Sequence, residues 1–191
     1  MTIVHRIIPA LWLVFIVYWA IAAIGVKRTV DAPAWWKQQI LVRLLILAPV
    51  VVALSIPAVR HALRFAWLRA AGGAVTGAIG AVLVGVGIAL AIFARLYLGR
   101  NWGMPMSRKE NPELVTGGPY AFVRHPIYSG VILAMLGTAL GLSIIWVLPL
   151  IVFVPYSIYC ARREEQLMCQ QFGEAYRAYM RRTKMLVPFV L

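Results

Sequence analysis

A chain of 191 residues that is 62% hydrophobic and only 13% charged, with a mean hydropathy of +0.82, falls well outside the range of water-soluble domains, which are about 45–50% apolar. It reads as a polytopic membrane protein, with room for four or five spans of roughly 20 residues and no separate soluble domain. The formal charge of +13 does not make it a nucleic-acid binder, because the basic residues sit in short connections between apolar blocks, where topology and anionic headgroups account for them.

The first span is expected over residues 7–26, with Trp12, Tyr18 and Trp19 among its aliphatics and Lys27-Arg28 closing it. Its apolar run is too long for a signal peptide and has no obvious small-residue cleavage site, so it is expected to be retained. Pro33-Ala-Trp-Trp-Lys37 has the character of an interfacial connection, since tryptophans beside a lysine favour the headgroup zone. A second span follows over 40–59, carrying Pro49 and Pro57, then a short loop with Arg60, Arg64 and Arg69. The third span, over 71–94, is rich in glycine: Gly73 and Gly77 form a GxxxG pair, with Gly80, Gly85 and Gly87 beyond. That pattern lets helices approach closely in lipid, within the bundle rather than between copies, and a monomer is expected.

Residues 95–124 form a long polar stretch that suits a functional cap better than slack. The apolar run 127–160 is too long for one span and is interrupted by Gly137, Gly141, Ser143 and Pro149, so it predicts a helical hairpin turning near Leu142 to Ile144. Arg162-Arg-Glu-Glu165 is expected to open a tail helix in which Met168, Phe172, Ala175, Tyr176 and Tyr179 recur at helical spacing, weakened at Gly173. The expected fold is all-α, a membrane bundle of about five transmembrane helices with a C-terminal hairpin and a cytosolic tail helix. Residues 1–94 supply three helices, and residues 95–191 the loop, hairpin and tail of the same bundle. Five spans put fourteen Lys and Arg on the side of the polar loop and tail and four on the other, which places both segments in the cytoplasm.

The candidate site is the run 114–130, LVTGGPYAFVRHPIYSG. Gly117 and Gly118 allow backbone that other residues resist, Pro119 stiffens the exit, and Arg124 and His125 precede Pro126, which opens the next helix. Such a loop can hold a polar ligand against a membrane face, although an ordinary basic connection between helices would have the same composition. Of only six carboxylates, Glu164 and Glu165 are adjacent where the last span leaves the membrane. A carboxylate there needs a partner, and either Arg162, Arg163 or Arg124 neutralises the pair or one glutamate grips the ammonium group of a ligand. Cys160 and Cys169, nine residues apart, indicate neither a disulfide framework nor a metal site.

The run LVTGGPYAFVRHPIYSG, followed by a hairpin and then EEQLMCQQFGEAYRAYMRRT with a Leu-Val-Pro ending, closely resembles the isoprenylcysteine carboxyl methyltransferase family and its relatives among the phospholipid methyltransferases. The resemblance covers about 101–189. It implies an integral membrane methyltransferase, multi-pass, that holds S-adenosyl-L-methionine in a cytosolic pocket between this loop and the tail helix and admits a lipophilic acceptor sideways from the membrane lipids. Leu114 and Val115 would contact the adenosine part, Gly118 and Tyr120 would line the pocket, and His125, Pro126, Ile127 and Tyr128 would form its second edge. Glu164 would take the methionine ammonium, with Glu165 beside it, and no metal would be needed.

Two positions depart from the family pattern. Pro112 stands where a histidine usually precedes the Leu-Val pair, and Cys160 stands where the carboxyl methyltransferases carry the arginine that engages the acceptor. A thiol cannot anchor a carboxylate as arginine does, so Arg162 and Arg163 are the candidate catalytic cations for a prenylcysteine-like carboxylate. Methylation of a small thiol or a lipid amine, an NADPH-dependent membrane reductase of related architecture, and a noncatalytic transporter or scaffold remain alternatives.

Overall fold

The computed structural model describes residues 3–24, 57–58, 61, 73–102 and 113–188. The expected second span lies outside these residues apart from Pro57 and Ala58, as do the tryptophan connection before it and Pro112. The described residues are helical and contain no strand: α1 is Val4–Ala22, α2 Ala74–Leu98, α3 Pro126–Gly141, α4 Val147–Phe172 and α5 Glu174–Arg182, with short 3-10 turns between them.

Each boundary follows from local chemistry. Pro126 occupies the first turn of α3, where its missing N–H costs nothing, and Gly141 ends it after 16 residues. At 1.5 Å per residue that is about 24 Å, short of a full hydrocarbon core of about 30 Å. Ser143 then accepts a hydrogen bond from the Ile145 N–H and starts the 3-10 turn Ile144–Trp146 that leads into α4. The hairpin therefore turns where the sequence places it. Gly173, in the left-handed region at φ +55°, separates α4 from α5.

Three expectations need correction. The tail helix does not open at Arg162, because α4 runs unbroken from Val147 through both glutamates to Phe172. No proline or glycine interrupts residues 156–172, so the helix of the span simply continues past it, and the break waits for Gly173. The third span continues to Leu98, so Arg95 belongs to a helix and not to the loop. Its side chain is buried, donates to the carbonyls of Gly99 and Ala22, and lies 4.6 Å from the Trp102 ring centre, tying the end of α1 to the end of α2. Finally, Gly73 does not join the glycine seam, since nothing lies within 4 Å of where its Cβ would be.

The seam uses Gly80 and Gly87 on α2 against Gly130, Ala134, Gly137 and Gly141 on α3. A Cβ on Gly87 would sit 2.5 Å from the Gly130 carbonyl oxygen and the Ala134 nitrogen, and one on Gly80 would sit 2.5 Å from Gly141 backbone. Backbone contact of this kind replaces the hydrophobic drive that lipid does not supply. Across it lies α1, whose Val4 and Ile8 join Val84, Ile88, Ala134 and Leu142 in a buried cluster. Trp12 donates to the Thr138 hydroxyl at 2.9 Å, a polar tie inside the apolar region. Side chains such as Leu13, Ile16, Val82, Val86, Leu148 and Ile151 point outward. Three helices, Val4–Ala22, Ala74–Leu98 and Ile144–Phe172 with its leading turn, are long and apolar enough to cross a membrane, and the outward apolar belt gives them a lipid-facing surface.

The seam makes a sharp prediction. Gly87→Ala should cost about 1–3 kcal/mol by forcing α2 and α3 apart, whereas Gly85→Ala, with open space around it, should be neutral or gain up to about 1 kcal/mol of helix propensity. Thermal unfolding of the two variants in the same detergent compares them directly.

Candidate functional site

Arg124, His125, Tyr128, Glu164 and Glu165 meet where α3 begins and α4 passes. The loop reaches that point through Gly118, at φ +57°, whose missing side chain lets the Tyr97 ring of α2 pack at a distance no Cβ could tolerate. The 3-10 turn Gly118–Ala121 follows, with Pro119 and Tyr120 buried. The Tyr120 carbonyl accepts a 2.6 Å hydrogen bond from the Tyr179 hydroxyl of α5. Leu114 and Val115 lie half-buried just ahead of the turn.

Arg124 and His125 then engage the two glutamates of α4. Arg124 Nε donates to Glu165 Oε1 at 2.5 Å, and both side chains are more than nine-tenths buried. The Arg124 Nη1 donates to the carbonyls of Thr183 and Met180. His125 stands between the carboxylates, with Nε2 3.3 Å from Glu165 Oε1 and Nδ1 3.4 Å from Glu164 Oε2. Removing one partner from a buried pair such as Arg124–Glu165 costs about 3–5 kcal/mol, because the other charge is left unpaired.

The tail closes the arrangement from the far side. The backbone N–H groups of Arg124 and His125 donate to the carbonyls of Lys184 (2.8 Å) and Met185 (3.0 Å), and the Ser129 hydroxyl donates to Leu186 (2.5 Å). Val123 and Lys184 form a parallel bridge. Orphan donors at the start of α3 thus find acceptors in an extended segment after α5.

Glu164 is different from its neighbour. Its side chain is 26% exposed, it accepts a 2.7 Å hydrogen bond from the Tyr128 hydroxyl, and among the described residues no arginine pairs with it. One turn earlier on α4, the fully buried Cys160 thiol lies among Tyr128, Tyr156 and Glu164. His125, Pro126, Ile127, Tyr128, Glu164 and Glu165 are therefore gathered at one place. Arg162 and Arg163 are exposed, and Arg163 bonds Gln166. Sequence reasoning names Arg124 as one possible partner of the glutamates but does not find Tyr97, the buried role of Arg95, or Thr183. The glycine at 118 signals a close neighbour without saying which, and a helix-terminal arginine among apolar residues was the available signal for Arg95.

The fold defines an integral membrane helical bundle with a cluster of polar side chains where α3 begins and α4 passes. A family model described as phospholipid methyltransferase matches residues 75–175, which covers α2, α3, α4 and the start of α5. The chain belongs to that family. It is 32% identical over 108 residues to the cobalt-zinc-cadmium resistance protein CzcN of Cupriavidus metallidurans, across 54% of this chain and 46% of that protein. A solved structure of a eukaryotic intramembrane Ras methyltransferase, isoprenylcysteine carboxyl methyltransferase, aligns with TM-score 0.52 and 26% identity over 60% of this chain and 43% of its own. This chain thus spans less than half the length of both relatives.

The charge cluster predicts a pH dependence. Burial alone would lower the His125 pKa, but hydrogen bonds and charge from Glu164 and Glu165 outweigh it, and the net shift is upward. A raised folded-state pKa gives stability that is full below the unfolded value of about 6.5 and disappears as pH rises through the folded value. The thermal midpoint should therefore fall as pH is raised from about 6.5 through that value, and His125→Gln should flatten the slope in the same window. Unfolding scans across pH check both.

Proposed function

We propose that the protein is an integral membrane methyltransferase that uses S-adenosyl-L-methionine to methylate a lipophilic acceptor, with the cofactor side facing the cytoplasm. The observation that carries this reading is Glu164, a partly exposed carboxylate held by Tyr128 and His125 at the start of α3 but not neutralised by a described arginine. A cofactor carrying both an ammonium and a sulfonium fits an anionic site of this kind, and its activated methyl group removes the need for a metal. Glu164 would bind the ammonium, while Leu114, Val115, Gly118 and Tyr120 would line one wall and His125, Pro126, Ile127 and Tyr128 the other. Glu165 acts behind them by holding His125 and Arg124 in place.

Membership in the family and likeness to the isoprenylcysteine carboxyl methyltransferase structure support this chemistry. The reductase alternative is less well supported, because the matching family model is that of a methyltransferase and NADPH would need additional cations for its phosphates. The basic asymmetry of the loops supports the cytoplasmic orientation, and losing Arg95 from that count does not reverse it.

Calorimetry with S-adenosylhomocysteine and NADPH on detergent-solubilised protein tests the reading. S-adenosylhomocysteine should bind and NADPH should not. Glu164→Gln should weaken binding by about 1.5–3 kcal/mol, the contribution of a hydrogen bond to a charged group, or roughly ten- to a hundredfold in Kd. Glu165→Gln should affect binding less and lower the unfolding temperature more. Equal effects on binding would reduce the glutamates to a structural charge cluster.

A further inference from the structure

We propose that α5, the segment after it and Phe122 form a docking surface for anionic phospholipid headgroups of the membrane that the bundle spans, and that these lipids hold the tail against the loop. The charge on this surface is lopsided. Residues 174–188 carry four cations, Arg177, Arg181, Arg182 and Lys184, and one carboxylate, Glu174, and all five side chains are exposed. The inward face of α5 is taken by Tyr176 and Tyr179, both buried, the second bonded to the Tyr120 carbonyl. With that face fixed in the protein, the helix turns its cations outward. Glu174 lies 2.7 Å from Arg181 and 3.8 Å from Arg177. One exposed carboxylate shared by two arginines, in pairs that salt screens, leaves the surface with an excess of positive charge.

The second observation is where the tail returns. The Lys184 and Met185 carbonyls accept from the Arg124 and His125 amides, and the Leu186 carbonyl accepts from Ser129 in the first turn of α3. Residues 184–186 therefore run beside the start of an apolar helix, whose Gly130 packs on Gly87 within the spanning helix α2. Beside the Val123–Lys184 bridge, two large apolar side chains point outward: Phe122 is 67% exposed and Val187 48% exposed. At a bilayer boundary such side chains reach the edge of the acyl chains while neighbouring cations meet the phosphates. An acidic protein would satisfy the cations alone, whereas an anionic lipid surface accounts for the cations, the apolar pair and their place beside a membrane helix together.

The lipid contact reaches the polar cluster through the backbone. The segment that carries Arg181, Arg182 and Lys184 also supplies the Met180 and Thr183 carbonyls to the Arg124 side chain. Headgroups that engage these cations hold that segment down, and the Arg124 and His125 amides report it, because they open to solvent when residues 184 and 185 lift away. Each cation near an anionic membrane surface strengthens the contact about fivefold.

The test places the whole chain in nanodiscs of phosphatidylcholine alone or of phosphatidylcholine mixed with phosphatidylglycerol and follows hydrogen exchange of the Arg124 and His125 amides. Exchange should be about tenfold slower, or more, in the anionic mixture, and raised salt should shrink the difference. The variant combining Arg181→Gln, Arg182→Gln and Lys184→Gln should exchange at rates within about twofold of each other in the two lipids. Native mass spectrometry of detergent-extracted protein reads binding directly: wild type should retain phosphatidylglycerol over phosphatidylcholine, and the triple variant should lose that preference by about tenfold or more. The wild-type comparison between lipids stands even if the triple variant does not fold. Equal wild-type exchange in the two lipids would overturn the proposal, as would an undiminished lipid preference in the folded triple variant. If inorganic phosphate in phosphatidylcholine nanodiscs slows exchange as much as phosphatidylglycerol does, the surface binds a soluble anion and the lipid assignment is wrong.

Discussion

The buried ion pair between Arg124 and Glu165 is the constraint on which the polar end of this bundle depends. Each charge would be costly at the edge of a membrane by itself, and together they fasten the loop to α4. The same guanidinium also takes up the Met180 and Thr183 carbonyls, so one side chain joins the loop, the long helix and the segment after α5. His125 inherits its place from this pair, since the ring lies against the Glu165 oxygen that Arg124 holds. Glu164 is left as the member of the cluster with solvent access and, among the described residues, without an arginine.

This division of labour between adjacent glutamates follows from helix geometry. Successive residues on an α-helix point about 100° apart, so one carboxylate faces the loop and the tail while the next faces α3 and the opening beside it. Tyr128 meets the second carboxylate because it lies in the first turn of α3, close to α4. The glycine seam determines where that first turn sits. Gly87 and Gly130 bring α2 and α3 into backbone contact, and farther along α2 the Tyr97 ring fills the space above Gly118. Packing within the membrane and loop geometry outside it are thus one continuous arrangement.

Much of this was legible in the sequence because the signals are local. Composition gave the membrane class, Gly141 and Ser143 gave the hairpin turn, Pro126 gave the start of α3, and Gly173 gave the break before α5. The runs around His125 and Glu164 pointed to the residues that meet. What was not legible depends on distant partners. Arg95 resembles a loop cation by position, and only the packing of α1 shows that it binds the Ala22 carbonyl. Arg162 opens a charged tetrad in sequence, yet the helix does not begin there, because helix propensity carries straight through residues 156–172 without a breaker. Which of two neighbouring glutamates is engaged and which is open depends on rotation about the helix axis, and a single sequence does not supply that angle.

The pairing of residues 123–125 with 184–186 also bears on how the protein is made. The two segments are about sixty residues apart, and α3, the hairpin turn, α4 and α5 all lie between them. They cannot meet until the hairpin has entered the bilayer and turned back, so the loop emerging from the ribosome has no acceptors for its Arg124 and His125 amides. A chain halted during synthesis before residue 183 would carry every side chain of the glycine loop, both glutamates and the Met180 carbonyl, and still lack the Thr183, Lys184 and Met185 carbonyls that accept from Arg124 and His125. The polar cluster would be completed late in biogenesis, once the hairpin and the segment after α5 are both in place.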